Sequence, residues 1–191
     1  MTLFEHYFYT GLAVAAASQH SFSPLMASHH RNLQRCLARL RRFSASSPRN
    51  FRQYEALLEA EIAWLRGREA SALKFYNNAI ELANAQGFVQ IVALANERAA
   101  LFCIAHGQRR LAIWYLGCAR AAYDRWGASA KVDQLDHEFA NLLPELESPS
   151  LATKPVDDDH SQITHFDPYQ GTWFERAVAV QQNFLAQHLT R

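Results

Sequence analysis

The sequence predicts an all-α protein built as a stack of antiparallel helix pairs. The first observation is an internal repeat, in which four small residues recur 40 positions later along the chain. They are Gly67, Ala72, Ala79 and Gly87 in the first copy, and Gly107, Ala112, Ala119 and Gly127 in the second. Such a period is typical of stacked supersecondary units. The second observation is composition, because 49% hydrophobic residues with only 7 Gly and 6 Pro favour a mostly helical protein with a core.

The repeated small residues have a physical reason in a helix pair. Ala60 and Ala100 each lie seven positions before a turn glycine, where a small side chain lets the paired helices approach closely. The turn glycines, Gly67 and Gly107 among them, are predicted to end helices in the left-handed conformation, which costs glycine little. The pattern therefore predicts helix, tight turn, helix in each copy.

Element by element, the helices are predicted at about 3–18, 24–43, 51–66, 69–86, 89–106, 109–126 and 129–141. A loop is predicted at Ser44 to Pro48. Residues 1–143 then form one helical-repeat domain, whose first two helices are a degenerate pair and whose seventh helix is a cap. Residues 144–170 hold prolines and three consecutive aspartates, which predicts a flexible linker. A last amphipathic helix is predicted within residues 171–191.

The second helix of the first copy resembles the tetratricopeptide repeat. Gly67 marks the turn, and Ala72, Tyr76 and Ala79 follow it at the spacing of that family. The second copy keeps the glycine and both alanines but has Leu116 at the tyrosine position. The resemblance implies a right-handed superhelix of about seven helices in antiparallel pairs.

A narrower resemblance covers roughly residues 3–143. This part of the chain is similar to the helical-repeat segment of large bacterial multidomain signalling ATPase/kinase proteins, in which a GAF sensor domain and a histidine kinase often follow that segment. The matching runs are Asn50-Phe51, Glu59-Ala60-Glu61, Leu65-Arg66-Gly67, Tyr76 through Ala83, Ala93 through Glu97 and Tyr123 through Lys131. The sequence has no phosphate-binding loop of the GxxxxGK[ST] kind. The resemblance therefore implies a non-catalytic protein-interaction or regulatory module, either a fragment or a stand-alone remnant of a sensor kinase.

The resemblance also implies a partner-binding surface. In tetratricopeptide-like stacks the first helix of each pair lines the concave side, where partner peptides bind. Carried across by register from Ala60 and Ala100, this surface comprises six residues: Tyr54, Glu61 and Trp64 in the first unit, and Glu97, Arg98 and Leu101 in the second. Trp64 and Leu101 have a second interpretation as packing residues between helix pairs, since repeat helices bury two faces. The implied partner is a protein or peptide of a signalling pathway.

One basic concentration offers an alternative function. No acidic residue occurs between His6 and Glu55, and four arginines fall on one face of the second predicted helix: Arg31, Arg35, Arg39 and Arg42. The plain interpretation is a solvated face, because leucines occupy the opposite side. The alternative is an anion- or nucleic-acid-binding patch, although no aromatic residue interleaves with these arginines as base stacking requires.

Metal and catalytic sites find little support in the sequence. His29 and His30 are adjacent on a helix, so their side chains point about 100° apart, and a zinc site needs about four convergent ligands. A second group of histidines, His160 and His165, falls in the predicted linker. The sequence predicts no metal and no cofactor.

Catalysis by a nucleophile or an acid–base pair is not indicated either. Cys103 and His106 are three positions apart on one helix, but Cys103 occupies a small packing position of the repeat, which predicts a buried structural thiol. Glu55, Glu59 and Glu61 lie on a helix that looks exposed and form no sheltered pair. The chain is therefore predicted not to be an enzyme.

Charge and cysteine usage complete the expectations. The formal net charge of +1 gives no bias towards nucleic acid or membrane surfaces. Three widely spaced cysteines form no CxxC motif, which favours a reducing, cytoplasmic location. The apolar run from Tyr7 to Ala17 is too short to span a membrane and lacks a basic flank, so it is predicted to be a packed helix.

Overall fold

The computed structural model describes residues 2–19 and 26–142. Seven α-helices follow one another: α1 Leu3–Gln19, α2 Met26–Ser46, α3 Pro48–Leu65, α4 Glu69–Ala85, α5 Val89–Ala105, α6 Arg109–Trp126 and α7 Ser129–Glu138. These two ranges contain no strand, so the predicted all-α class is confirmed. The linker predicted at 144–170 and the helix predicted within 171–191 lie outside the described residues.

The connection between α2 and α3 differs from the prediction. Instead of a loop from Ser44 to Pro48, α2 continues to Ser46 and α3 begins at Pro48, so Ser47 alone separates them. Proline suits the first turn of a helix, because its φ is already helical and its missing N–H would have no intrahelical acceptor there. The Ser46 hydroxyl donates to the Arg42 carbonyl oxygen at 2.8 Å, within the last turn of α2. The predicted loop was therefore wrong.

The four turns between consecutive helices from α3 to α7 share one geometry. Each contains a glycine with positive φ: Gly67 at 65°, Gly87 at 74°, Gly107 at 71° and Gly127 at 80°. In the first turn Arg68 N donates to Ala63 O and Gly67 N to Trp64 O, both at 2.9 Å, which is the Schellman pattern. The other three turns repeat it. A Cβ at these glycines would meet no atom within 4 Å, so the left-handed φ, as predicted, is what requires glycine.

The packing alanines of the repeat are buried as predicted. Six of them have no exposed surface: Ala60, Ala72, Ala79, Ala100, Ala112 and Ala119. Alanine at such positions leaves room for a neighbouring helix, whereas a larger side chain would have to displace it. The 40-residue register therefore predicts the buried faces of these helices correctly.

The chain divides into two compact units, with the boundary inside α4 between Ala72 and Leu73. In the first unit α1, α2 and α3 each contact the other two. Gly11 lies where α1 approaches both neighbours closely, because a Cβ there would be 2.9 Å from Leu58 Cδ2 and 3.4 Å from Cys36 Cβ. A glycine in the middle of α1 thus lets that helix pack against both α2 and α3.

The second unit is organised around α5 and α6, which form a hairpin with extensive contacts, while α7 packs on α6. The part of α4 from Leu73 onward joins this unit, since the Tyr76 ring lies 5.8 Å from that of Phe102. The Tyr115 hydroxyl also donates to Asn77 Oδ1 at 2.7 Å. α5 is buried nearly all round and supplies 13 buried residues from its 17.

The N-terminal apolar run forms α1, which is packed against α2 and α3 as predicted. Phe4, Phe8, Ala15 and Ala16 of this helix are buried. Within residues 2–19 and 26–142, none of the helices is both long enough and apolar enough to cross a bilayer.

Candidate functional site

The three predicted partner-binding residues of α3 differ in their exposure. Tyr54 and Trp64 are half-buried, whereas Glu61 has no exposed surface. The Glu61 carboxylate accepts a hydrogen bond from Gln19 Nε2 at 3.3 Å, which links α3 to α1. The expectation that Glu55, Glu59 and Glu61 share an exposed helix is therefore wrong for Glu61. A partner protein can reach Tyr54 and Trp64 without opening the core.

Tyr54 belongs to an aromatic cluster at one end of the first unit, formed by Phe4, Phe8, Phe43, Phe51 and Tyr54. The Tyr54 ring centroid lies 4.6 Å from that of Phe4 and 4.9 Å from that of Phe8. Phe4 also contacts Phe51 at 4.6 Å and Phe43 at 5.6 Å. Burial raises the pKa of Tyr54 to about 12. One face of Tyr54 is therefore committed to packing, and only its remaining surface is available to a partner.

The three predicted partner-binding residues of α5 are all inside the second unit. Glu97, Arg98 and Leu101 are 4%, 3% and 1% exposed. Leu101 thus follows the packing interpretation that the sequence left open for it. These side chains therefore offer almost no surface to a partner in this structure.

Glu97 forms a buried polar network instead. Its Oε2 accepts a hydrogen bond from the Tyr123 hydroxyl at 2.5 Å, and its Oε1 accepts one from Lys131 Nζ at 2.8 Å. The Lys131 ammonium also lies 5.2 Å from the centre of the Tyr123 ring. Both carboxylate oxygens are engaged, so this acid ties α5 to α6 and α7.

The exposed basic surface lies on α2. Arg31, Arg35, Arg39 and Arg42 are all exposed and are called the arginine face below. Within the described residues, none of these four side chains pairs with an acid. The opposite side of α2 is buried at Leu33, Cys36, Leu37 and Leu40. The predicted amphipathic character of this helix is therefore confirmed.

Arg41, the fifth arginine of α2, forms ion pairs with two carboxylates of α3. Arg41 Nη2 lies 2.7 Å from Glu59 Oε1, and Arg41 Nε lies 3.5 Å from Glu55 Oε1. The hydrogen bond to Glu59 raises the pKa of Arg41 above its ordinary value. Glu55 and Glu59 are four residues apart on α3, so one helix presents two carboxylates to an arginine of another.

An aromatic ring does lie beside the arginine face, which the sequence did not reveal. The guanidinium carbon of Arg39 is 5.7 Å from the centre of the Tyr7 ring, on α1. A cation over an aromatic face is attracted by the ring's quadrupole. Arg39 thereby takes the position beside the Tyr7 ring that a stacked base would need.

Three histidines lie within hydrogen-bonding distance of polar groups of the protein itself. His29 Nδ1 lies 3.1 Å from Ser18 Oγ, and His30 Nε2 lies 3.3 Å from Arg66 Nη2. His106 Nδ1 lies 2.8 Å from the Phe102 carbonyl oxygen. In the described part of the chain, no three His, Cys, Asp or Glu side chains gather as a metal site would require. His160 and His165 lie outside that part.

The cysteines are free thiols in a packed environment. Cys36 and Cys103 are buried, and Cys118 is half-buried. Burial raises the pKa of the Cys36 thiol to about 11, which suppresses the reactive thiolate at neutral pH. This agrees with the prediction of structural thiols.

The contacts that sequence reasoning missed join residues far apart in the chain. Lys131 and Glu97 come from different helices, as do Arg41 and Glu59. A weak signal existed for the aromatic cluster, because Phe4 and Phe8 are four positions apart and therefore share a helix face. No comparable local pattern in the sequence predicts that Lys131 pairs with Glu97 or that Arg41 pairs with Glu59.

Compared with known proteins, the chain matches no protein-family model, no curated protein and no solved structure.

Proposed function

We propose that this chain is a non-catalytic protein-interaction module made of stacked helical hairpins. The observation that carries the proposal is the repeated Schellman turn, which recurs every 20 residues from Gly67 to Gly127. Regular turns of this kind make each helix pair a unit that stacks on the next and presents an extended surface. In this proposal the stack is the right-handed, tetratricopeptide-like superhelix of the signalling proteins that the sequence resembles.

Two features of the packing support the repeat architecture. In the first unit α1 contacts α2 and α3, and α2 contacts α3, which is the set of contacts expected when one hairpin meets the first helix of the next. In the second unit α5 and α6 form the most extensive helix pair. A separate observation supports the non-catalytic role: the buried carboxylate of Glu97 already accepts two hydrogen bonds, which fits a scaffold better than an acid–base site.

The proposed partner is a protein or peptide of a bacterial signalling pathway in the cytoplasm. The buried free thiols of Cys36 and Cys103 fit a reducing compartment. On α3, Trp64 is the proposed anchor, because it is half-buried and aromatic side chains dominate the binding energy of protein interfaces. Tyr54 would contribute the part of its ring that the aromatic cluster leaves accessible.

The proposal is tested by capture of the partner from a lysate of the source cell. Trp64→Ala should reduce the captured amount strongly, because loss of an anchor costs roughly 2 kcal/mol or more. Trp126→Ala is the matched control, since Trp126 on α6 is 54% exposed and lies outside the proposed surface. Circular dichroism must show that both variants stay folded. Equal loss of capture in both variants would contradict the site, and unfolding of the Trp64 variant would identify Trp64 as a core residue.

A second candidate function is anion or nucleic-acid binding through the arginine face. The observation in its favour is that these four arginines are exposed and have no acidic partner in the part of the chain that the structure describes. Binding of this kind weakens steeply as salt concentration rises.

A further inference from the structure

The arginine face is a row of cations whose spacing is set by α2. Arg31, Arg35 and Arg39 are four residues apart, and Arg42 follows three residues later. A helix rises 1.5 Å per residue, so neighbouring guanidinium groups are anchored roughly 6 Å apart along the axis. The row therefore fits a ligand that repeats its negative charge at about the same interval.

Within the protein, α3 is an example of such an acidic ligand for α2. α3 carries Glu55 and Glu59 four residues apart, and both carboxylates approach Arg41 of α2. Helix α2 is thus engaged on one flank by a helix whose acids have a four-residue spacing. The arginine face points the same type of side chain into solvent without an acid of the described chain to meet it.

We infer that the arginine face docks an acidic helix of a partner protein, in which glutamates or aspartates recur at every fourth residue. This inference rests on the proposed interaction function and names the chemistry of the partner. Arginine suits the role because its planar guanidinium pairs with a carboxylate through two parallel hydrogen bonds. The repeated four-residue spacing sets the two helices in register.

Two observations favour an acidic protein over a nucleic acid. Proteins that bind single strands need accessible aromatic platforms, and the Tyr7 ring beside this surface is already contacted by Arg39. The basic patch of a nucleic-acid-binding domain usually comes with a domain pI above about 9, whereas this chain has a formal net charge of only +1. Four of the 19 basic residues form this single row on α2, which matches a narrow acidic ligand.

The test uses the full chain and a labelled helical peptide of alanine and glutamate, with glutamate at every fourth position. Fluorescence anisotropy measures its binding to the wild type and to Arg31→Glu/Arg35→Glu. Both arginines are exposed, so we expect a change in affinity without a change in fold. The double reversal removes two ion pairs and adds repulsion, which should weaken binding about tenfold.

The matched control is Lys74→Glu/Arg110→Glu, which changes the net charge equally at two exposed positions on α4 and α6. We expect this control to bind the peptide within about twofold of the wild type, since neither residue belongs to the arginine face and a single exposed charge contributes little. A second control peptide has the same composition with its glutamates clustered, and it should bind more weakly.

Several results would overturn the inference. These are no binding of the peptide to the wild type, equal weakening in both charge-reversal variants, equal binding of the clustered peptide, or tighter binding of an oligonucleotide of the same net charge. If the glutamate variant fails to fold, Arg31→Gln/Arg35→Gln replaces it. If the peptide test fails but capture of the partner from the lysate still depends on Trp64, only the docking role of the arginine face is rejected. The two proposals are therefore separable.

Discussion

At the scale of single residues, two ion pairs of the second unit differ in environment and should differ in energy. The Glu97 side chain is 5% exposed and that of Lys131 is 26% exposed. In the pair between Arg120 and Asp136 the two side chains are 45% and 41% exposed. Removing one partner of a buried pair leaves the other charge without compensation, whereas an exposed charge is returned to water.

We therefore expect Lys131→Met to lower the free energy of unfolding by about 1–3 kcal/mol, and Arg120→Met by less than about 1 kcal/mol. Chemical denaturation measures both values. An equal loss of unfolding free energy in the two variants would mean that Glu97 reaches solvent when Lys131 is removed.

Arg120→Met has an additional readout in the titration of Asp136. The hydrogen bond from Arg120 holds the pKa of Asp136 below its ordinary value of 3.8. The stabilisation from this pair is therefore present above the ordinary pKa and is lost as the pH falls through the lowered one. In the variant the Asp136 pKa should rise, which NMR titration of the carboxyl carbon detects.

At the scale of elements, the packing alanines test whether the helix faces are assigned correctly. Ala112 has no exposed surface, and Ala121 on the same helix is exposed. Ala112→Leu should overpack the core and cost roughly 1–3 kcal/mol, while Ala121→Leu should change stability by less than about 0.5 kcal/mol. Ala72→Leu and Ala70→Leu provide the same comparison on α4. Thermal unfolding measures all four, and a neutral effect at both Ala72 and Ala112 would contradict the repeat register.

At the scale of the whole molecule, the helices should differ in their resistance to opening. α5 supplies 13 buried residues from its 17, whereas α7 buries Val132 and Leu135. Local opening costs least where few apolar contacts are lost. Backbone amides of α5 should therefore exchange with solvent deuterium most slowly, and those of α7 among the fastest, as mass spectrometry or NMR can measure. Faster exchange in α5 than in α7 would mean that α5 is less firmly packed than its burial indicates.

The boundaries of α4, α5 and α6 could be predicted closely because their signals are local. Turn glycines and periodic apolar residues act within a few positions of the feature they specify. The loop between α2 and α3 was predicted wrongly because serines and a proline are compatible with both a loop and a helix start. The candidate surface was harder to predict, since the exposure of Glu61 and Glu97 depends on which helices cover them.

The sequence by itself determined the helical class, the turns and the two sides of α2. Glycine alone adopts the left-handed turn at low cost, and the alternation of arginines and leucines needs only the helical period to separate into faces. The tertiary structure decided which charged groups are paired with one another within the protein. Glu97 meets Lys131, and Arg41 meets Glu59, only because distant helices pack together. The four arginines that meet no acid of the described residues could not be told apart from Arg41 by composition, since the difference lies in the carboxylates that α3 brings to one flank of α2.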